Sequence, residues 1–218
     1  ADKKSCAGGK NSTVRMGFWS GGDREGNPFV NVGTTMQVAE ALHNSILRCY
    51  YRDVRLLKRR LTFVGVESIL AELDLKLYSD LHGGDQAPAL TKQDILDPLL
   101  AIRSTLLEKH NGLFVHLVND LIYKVELFGL FFASLDIRQE SSIHGRILDY
   151  LASNSDALPS NYGELGDGEK IETLLNIQQA VATASFDDEL TKDTLQTIAA
   201  VKMIQQQNGT AGCERYII

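Results

Sequence analysis

Cysteine is scarce in this chain. Cys6, Cys49 and Cys213 are odd in number and far apart. No C-x-x-C spacing offers a thiolate metal site. Such free thiols suit a reducing compartment, so a cytoplasmic protein is expected. Positive charge is not in excess either. The net charge of −6 argues against a nucleic-acid binder, because phosphate backbones are held by basic surfaces. No apolar run approaches the ~20 residues that span a bilayer, and no membrane partner is expected. The start, Ala-Asp-Lys-Lys-Ser-Cys-Ala-Gly-Gly-Lys, has no apolar core of a signal peptide. It also lacks an initiator Met, as expected of an excised or processed piece. His43, His82, His110, His116 and His144 show no metal-ligand spacing. G-x-S-x-G, Walker and H-E-x-x-H motifs are absent, as are internal repeats.

What remains is an ordinary globular composition, 44% hydrophobic and 23% charged over 218 residues. That is enough for one domain with a sizeable core. The expected organisation is a polar, poorly ordered tail at 1–13 and a single helix-rich domain at 14–218.

The periodicity predicts mostly helix. Val14 to Trp19 reads as a short strand. Thr34 is the expected N-cap of a long helix to about Arg60, with Val38, Leu42, Ile46, Cys49 and Tyr50 on its apolar face. Its basic end, Arg52 to Arg60, opposes the negative end of the helix dipole, or alternatively holds an anion or nucleic acid. Further helices are predicted over Val66–Tyr78, from Thr91 as N-cap to Lys109 with Pro98 inside, and over Leu113–Phe128. Leu130 to Ile137 is apolar and reads as a buried strand. Ser141 is the expected cap of a helix to Leu151, and 153–168 is a polar loop. Two more helices are expected near Glu169–Thr183 and Asp188–Gln207, before a strand-like Arg215–Ile218.

Two polar runs carry the candidate chemistry. The first is Trp19-Ser20-Gly21-Gly22-Asp23-Arg24-Glu25-Gly26-Asn27-Pro28. Its glycines let the backbone turn and let a ligand approach it closely. The charged tip serves either polar recognition or a plain surface turn with a local ion pair. The second run is Asp136-Ile137-Arg138-Gln139-Glu140-Ser141. Arg138 follows an apolar strand, and its planar guanidinium fits a phosphate in bidentate fashion. The alternative is a structural pair with Asp136 or Glu140. His144 lies close enough in sequence to reach the same pocket, although a helix-surface position is the plainer reading.

Together these runs resemble phosphoenolpyruvate carboxylase. Trp19 with Gly21 to Pro28 is similar to that family's WxGGDRDGNP segment, with Glu25 where Asp is usual. Asp136 to Ser141 is similar to its DIRQES segment. The resemblance implies a mainly α-helical chain with a few short parallel strands, part of a (β/α)8 TIM-type barrel. It implies carboxylation of phosphoenolpyruvate by bicarbonate to oxaloacetate and phosphate, with Mg2+ or Mn2+. In that chemistry phosphate passes to bicarbonate, and the resulting CO2 is captured by a metal-bound enolate. Arg138 is implied as the catalytic contact to the substrate phosphate and Trp19 as a wall of the substrate pocket. Gly21, Gly22, Asp23 and Arg24 are implied to border and shape that pocket.

The family's subunits are roughly four times longer and typically form homotetramers, so this chain is expected to be an internal fragment. The Thr-Ala-His-Pro-Thr-type segment with the catalytic His, the acidic metal ligands, the catalytic Lys and the Gly/Arg-rich loop have no counterpart here. No metal is therefore expected on this chain, and alone it is expected to be inactive. A self-standing helical interaction module is the competing expectation.

Overall fold

The computed structural model describes residues 14–25, 27, 29–83, 90–177 and 186–218. The polar tail expected over 1–13 lies outside the described residues, as do Gly26, Pro28, the Gly84–Pro88 part of the expected loop and the end of the helix expected to reach Thr183. The chain is mainly helical, with three short strands in a sheet of order β1-β2-β3. The elements are β1 (Gly17–Phe18), α1 (Val32–Arg60), α2 (Glu67–His82), α3 (Lys92–Lys109), α4 (Val115–Phe128), β2 (Ser134–Arg138), α5 (Ser141–Asn154), α6 (Asp167–Leu175), α7 (Glu189–Asn208) and β3 (Arg215–Ile217). They divide into two compact units, one of residues 1–17 and 44–134, the other of 18–43 and 135–218. Among the described residues no helix is long and apolar enough to cross a membrane.

The first unit is helical. Tyr50, Val54, Leu57 and Leu61 recur at helical spacing on or just past α1 and are buried. They share a core with Leu70, Leu73 and Leu77 of α2, with Ile95, Leu99, Ile102 and Leu106 of α3, and with Val118, Leu121 and Val125 of α4. Each such side chain contributes about 1.5–3 kcal/mol on burial. The Tyr50 hydroxyl donates to the Gly129 carbonyl at 2.8 Å and so ties α1 to the end of α4. Thr91 caps α3 with a reciprocal Thr91–Asp94 capping box, as its sequence predicts. The helix accommodates Pro98 within its span. Part of the basic end of α1 is engaged locally. Lys58 pairs with Asp74 at 2.6 Å, and Arg55 lies over the Tyr51 ring.

β1 keeps only two residues of Val14–Trp19, α2 runs on to His82 and α5 to Asn154, and α6 already stops at Leu175 instead of continuing towards Thr183. Three further boundaries differ from expectation for identifiable reasons. α1 starts three residues early, because Asn31 Oδ1 accepts the Thr34 N–H at 3.0 Å; Asn31, not Thr34, is the cap. α4 starts late, because Phe114 before it is left-handed at φ 60°. β2 begins only at Ser134. Residues 131–133 instead form a tight turn, with Phe132 at φ 61° and the Ala133 N–H bonded to the Phe131 carbonyl.

The second unit holds β3 and most of β2. β2 and β3 are parallel, with Asp136 opposite Arg215, Ile137 opposite Tyr216 and Arg138 opposite Ile217. Leu135 and Ile137 pack with Ala39 of α1, Ile204 of α7 and Cys213. Burial, with Asp136 nearby, pushes the Cys213 thiol up to about 11, so it stays protonated. A second small core joins Ile147 and Leu151 of α5 to Leu158, Tyr162 and Phe186. Asp188 caps α7 through the Thr191 N–H. Ser141 is the first residue of α5, after Glu140, which makes no side-chain cap bond to the helix backbone.

Candidate functional site at the end of β2

The loop after β1 is laid directly onto the end of β2. The Arg138 N–H donates to the Gly22 carbonyl at 2.8 Å, and the Arg24 N–H donates to the Arg138 carbonyl at 3.0 Å. The Gly22 and Asp23 N–H groups both turn back to the Trp19 carbonyl. Such close contact requires glycine. A Cβ on Gly22 would stand 2.1 Å from the Asp136 carbonyl oxygen. Gly21 has φ +87°, and a Cβ there would meet Val38 at 2.5 Å. The Gly21 carbonyl accepts the Thr35 hydroxyl at 2.7 Å, fixing the loop to α1.

Side chains alternate across a strand, so β2 sorts its residues onto two faces. Leu135 and Ile137 face the core. Asp136 and Arg138 face the opposite side, and the register adds Arg215 beside Asp136. Arg215 Nε donates to Asp136 Oδ1 at 2.8 Å. That bond takes up the carboxylate that sequence had offered as a structural partner for Arg138. The other offered partner, Glu140, accepts the Ser142 hydroxyl. Arg138 is left over. Its Nε is buried and has no hydrogen-bond partner, and no ion pair to its guanidinium exists among the described residues. The group lies 5.7 Å from the centre of the Trp19 ring, a cation–π arrangement. Trp19 itself is 54% exposed.

Arg24 is committed elsewhere. Its side chain is only 5% exposed and pairs with Asp193 of α7 at 2.5 Å. It also donates to Thr197 and Gln139. Asp193 spends its other oxygen on the Val32 N–H at the start of α1, at 3.0 Å. Arg24 therefore fastens the loop to two helices. Asp23 does not pair with it; its Oδ1 accepts the Glu25 N–H.

His144 is not a free surface residue. Its ring lies 5.5 Å from that of Tyr216. The imidazole Nε2 and the Tyr216 hydroxyl are both buried without partners. Burial, reinforced by the Arg24 charge, holds His144 below its ordinary pKa. A depressed folded-state value favours the neutral ring. The stability it carries is complete above the unfolded value of about 6.5 and is lost as pH falls through the folded one. The thermal midpoint is thus expected to drop below about pH 6.5, and less so in His144→Gln. A midpoint that falls equally in both proteins would contradict this.

A half-buried arginine whose Nε has no acceptor, beside an indole at the end of a parallel strand, has the chemistry to take an anion. Comparison with known proteins gives it a family. The phosphoenolpyruvate carboxylase family model matches residues 4–83 and 76–218, and the chain belongs to that family. It is 28% identical over 264 residues to a phosphoenolpyruvate carboxylase of Thermosynechococcus vestitus, covering 94% of this chain and 26% of that protein. The Nitrosomonas europaea phosphoenolpyruvate carboxylase is 28% identical over 257 residues, covering 95% of this chain and 27% of its own length. That of Acinetobacter baylyi is 30% identical over 165 residues, covering 61% and 18%. The chain spans about a quarter of the length of the first two relatives.

A divalent cation does not fit the described residues. Among them no group of three or more His, Cys, Asp and Glu is placed to hold a metal ion, and Asp136, the one acid beside Arg138 on its face of β2, is bonded to Arg215. Of the residues missed by sequence reasoning, Arg215 matters most. Its signal was an Arg opening an otherwise apolar strand-like run, Arg215-Tyr216-Ile217-Ile218.

Proposed function

We propose that this chain supplies the phosphate-holding part of a phosphoenolpyruvate carboxylase, the enzyme that joins phosphoenolpyruvate and bicarbonate to give oxaloacetate and phosphate. The observation that carries the reading is the unpartnered guanidinium of Arg138. A buried cationic donor without an acceptor is costly, and a phosphate oxygen supplies what it lacks. Trp19 walls the pocket. Gly21 and Gly22 bring the loop against β2, while Asp23 and Arg24 shape it without touching substrate. Family membership and the parallel, sequence-ordered strands support reading β1, β2 and β3 as consecutive strands of a (β/α)8-type barrel.

No step is assigned to this chain through Mg2+ or Mn2+. Charge neutralisation of the phosphate is the step this chain contributes. It is inactive by itself on this reading, and in the complete enzyme, a cytoplasmic homotetramer, it works with residues from elsewhere. The test is titration of the 218-residue chain with phosphoenolpyruvate, with and without Mg2+, followed by NMR. Weak binding that does not need Mg2+ and falls about tenfold or more in Arg138→Ala is expected, since a charge-assisted hydrogen bond contributes about 1.5–3 kcal/mol. Equal binding by both proteins, or oxaloacetate formation by this chain alone, would overturn the reading.

A further inference from the structure

Arg215 has so far only one bond, from its Nε to Asp136. That bond uses one edge of a planar group with five N–H donors. Among the described residues the terminal nitrogens of Arg215 have no hydrogen-bond partner, and the side chain is 47% exposed. The register places Arg215 opposite Asp136 and Ile217 opposite Arg138. Arg215 and Arg138 are therefore on the same face, two residues apart along adjacent strands. Strand geometry sets their Cα atoms about 8 Å apart, and side chains of that length readily converge on one small ligand. The single carboxylate between them, 12% exposed, neutralises at most one of the two.

We infer that Arg215 is a second anion-holding residue of the Arg138 site, which makes the site selective for ligands carrying a carboxylate as well as a phosphate. The inference rests on the reading of Arg138 as the phosphate contact and extends it. Asp136 anchors Arg215 by its Nε and leaves the outer edge of the guanidinium facing the ligand. An anchored fork loses less freedom on binding than a loose one. Arg138 takes the phosphate beside Trp19, and Arg215 takes the carboxylate. The competing role for Arg215 is to be the counter-ion of Asp136 and nothing more.

Two probes separate these roles in the 218-residue chain: phosphoenolpyruvate, and ethyl phosphate, which has a phosphate but no carboxylate. Arg215→Gln is expected to weaken phosphoenolpyruvate about tenfold, the loss of one charge-assisted hydrogen bond, and to change ethyl phosphate less than about twofold. Arg215→Lys keeps a cation beside Asp136, which guards the fold, and should show the same selectivity in weaker form. Arg138→Ala should weaken both ligands. If Arg215 is only a counter-ion, its variants lower the thermal midpoint while moving both ligands equally or not at all, and the inference falls while Arg138 stands. If the wild-type chain binds neither probe, or Arg138→Ala changes neither, the Arg138 reading fails first and this one with it.

Discussion

Gly22→Ala is expected to destabilise the protein by about 3 kcal/mol or more, a loss reserved for overpacking and backbone strain. The added Cβ would lie 2.1 Å from the Asp136 carbonyl oxygen, 3.0 Å from its carbon and 3.3 Å from the Ile137 side chain. The first two obstacles are backbone of β2, the middle strand of the sheet, so no rotamer change relieves the clash. The loop must lift off. It then loses both bonds to Arg138, through the Gly22 carbonyl and the Arg24 N–H. Urea unfolding measures the effect. Gly145→Ala in α5 is the internal control, because nothing lies within 4 Å of a Cβ there. It should stabilise by about 0.5–1 kcal/mol, as alanine in place of glycine does inside a helix. A Gly22→Ala midpoint close to wild type would show that the loop is not seated on β2 in solution.

The second large effect is expected at the Arg24–Asp193 pair. Breaking a buried pair by removing one partner costs about 3–5 kcal/mol, because the other charge is left without compensation. Asp193→Ala should be the more damaging single change. It strands Arg24, whose side chain is 5% exposed, and it also removes the acceptor of the Val32 N–H at the start of α1. Arg24→Met removes the buried cation and leaves Asp193, 25% exposed, within reach of water. The double variant Arg24→Met with Asp193→Leu should recover part of the Asp193→Ala loss, since well-packed apolar groups often replace a buried pair at little cost. A double-mutant cycle gives the coupling directly. Additive losses would mean that loop and α7 are held by other contacts.

The sequence made the long helices legible because their cores are local repeats. Tyr50, Val54, Leu57 and Leu61, or Ile95, Leu99, Ile102 and Leu106, declare a buried face without reference to anything distant. The short strands were less legible. Phe131 and Phe132 look like strand residues, yet the turn at Gly129 to Ala133, fastened by the Tyr50 hydroxyl, delays β2 to Ser134. Residue type and position placed Arg138 at a strand end, while a phosphate role for it came only from the family resemblance. What could not be read was who pairs with whom. Asp136 belongs to Arg215, 79 residues on, and Arg24 to Asp193, 169 residues on. Local sequence offered Asp136 to Arg138 and Asp23 to Arg24. Tertiary register gave Asp136 to Arg215, and that is what takes this acceptor away from Arg138.

Trp19 is the chain's single tryptophan, and it lies under the guanidinium of Arg138. The protein therefore carries one indole fluorophore beside its seven tyrosines, placed next to Arg138 and half open to solvent. Emission at tryptophan wavelengths has no background from a second indole. Any anion that draws the cation off the ring, or covers the ring, changes the colour and yield of that one signal. Anion binding at Arg138, as proposed above, can thus be tested optically, without labels, in the unmodified chain.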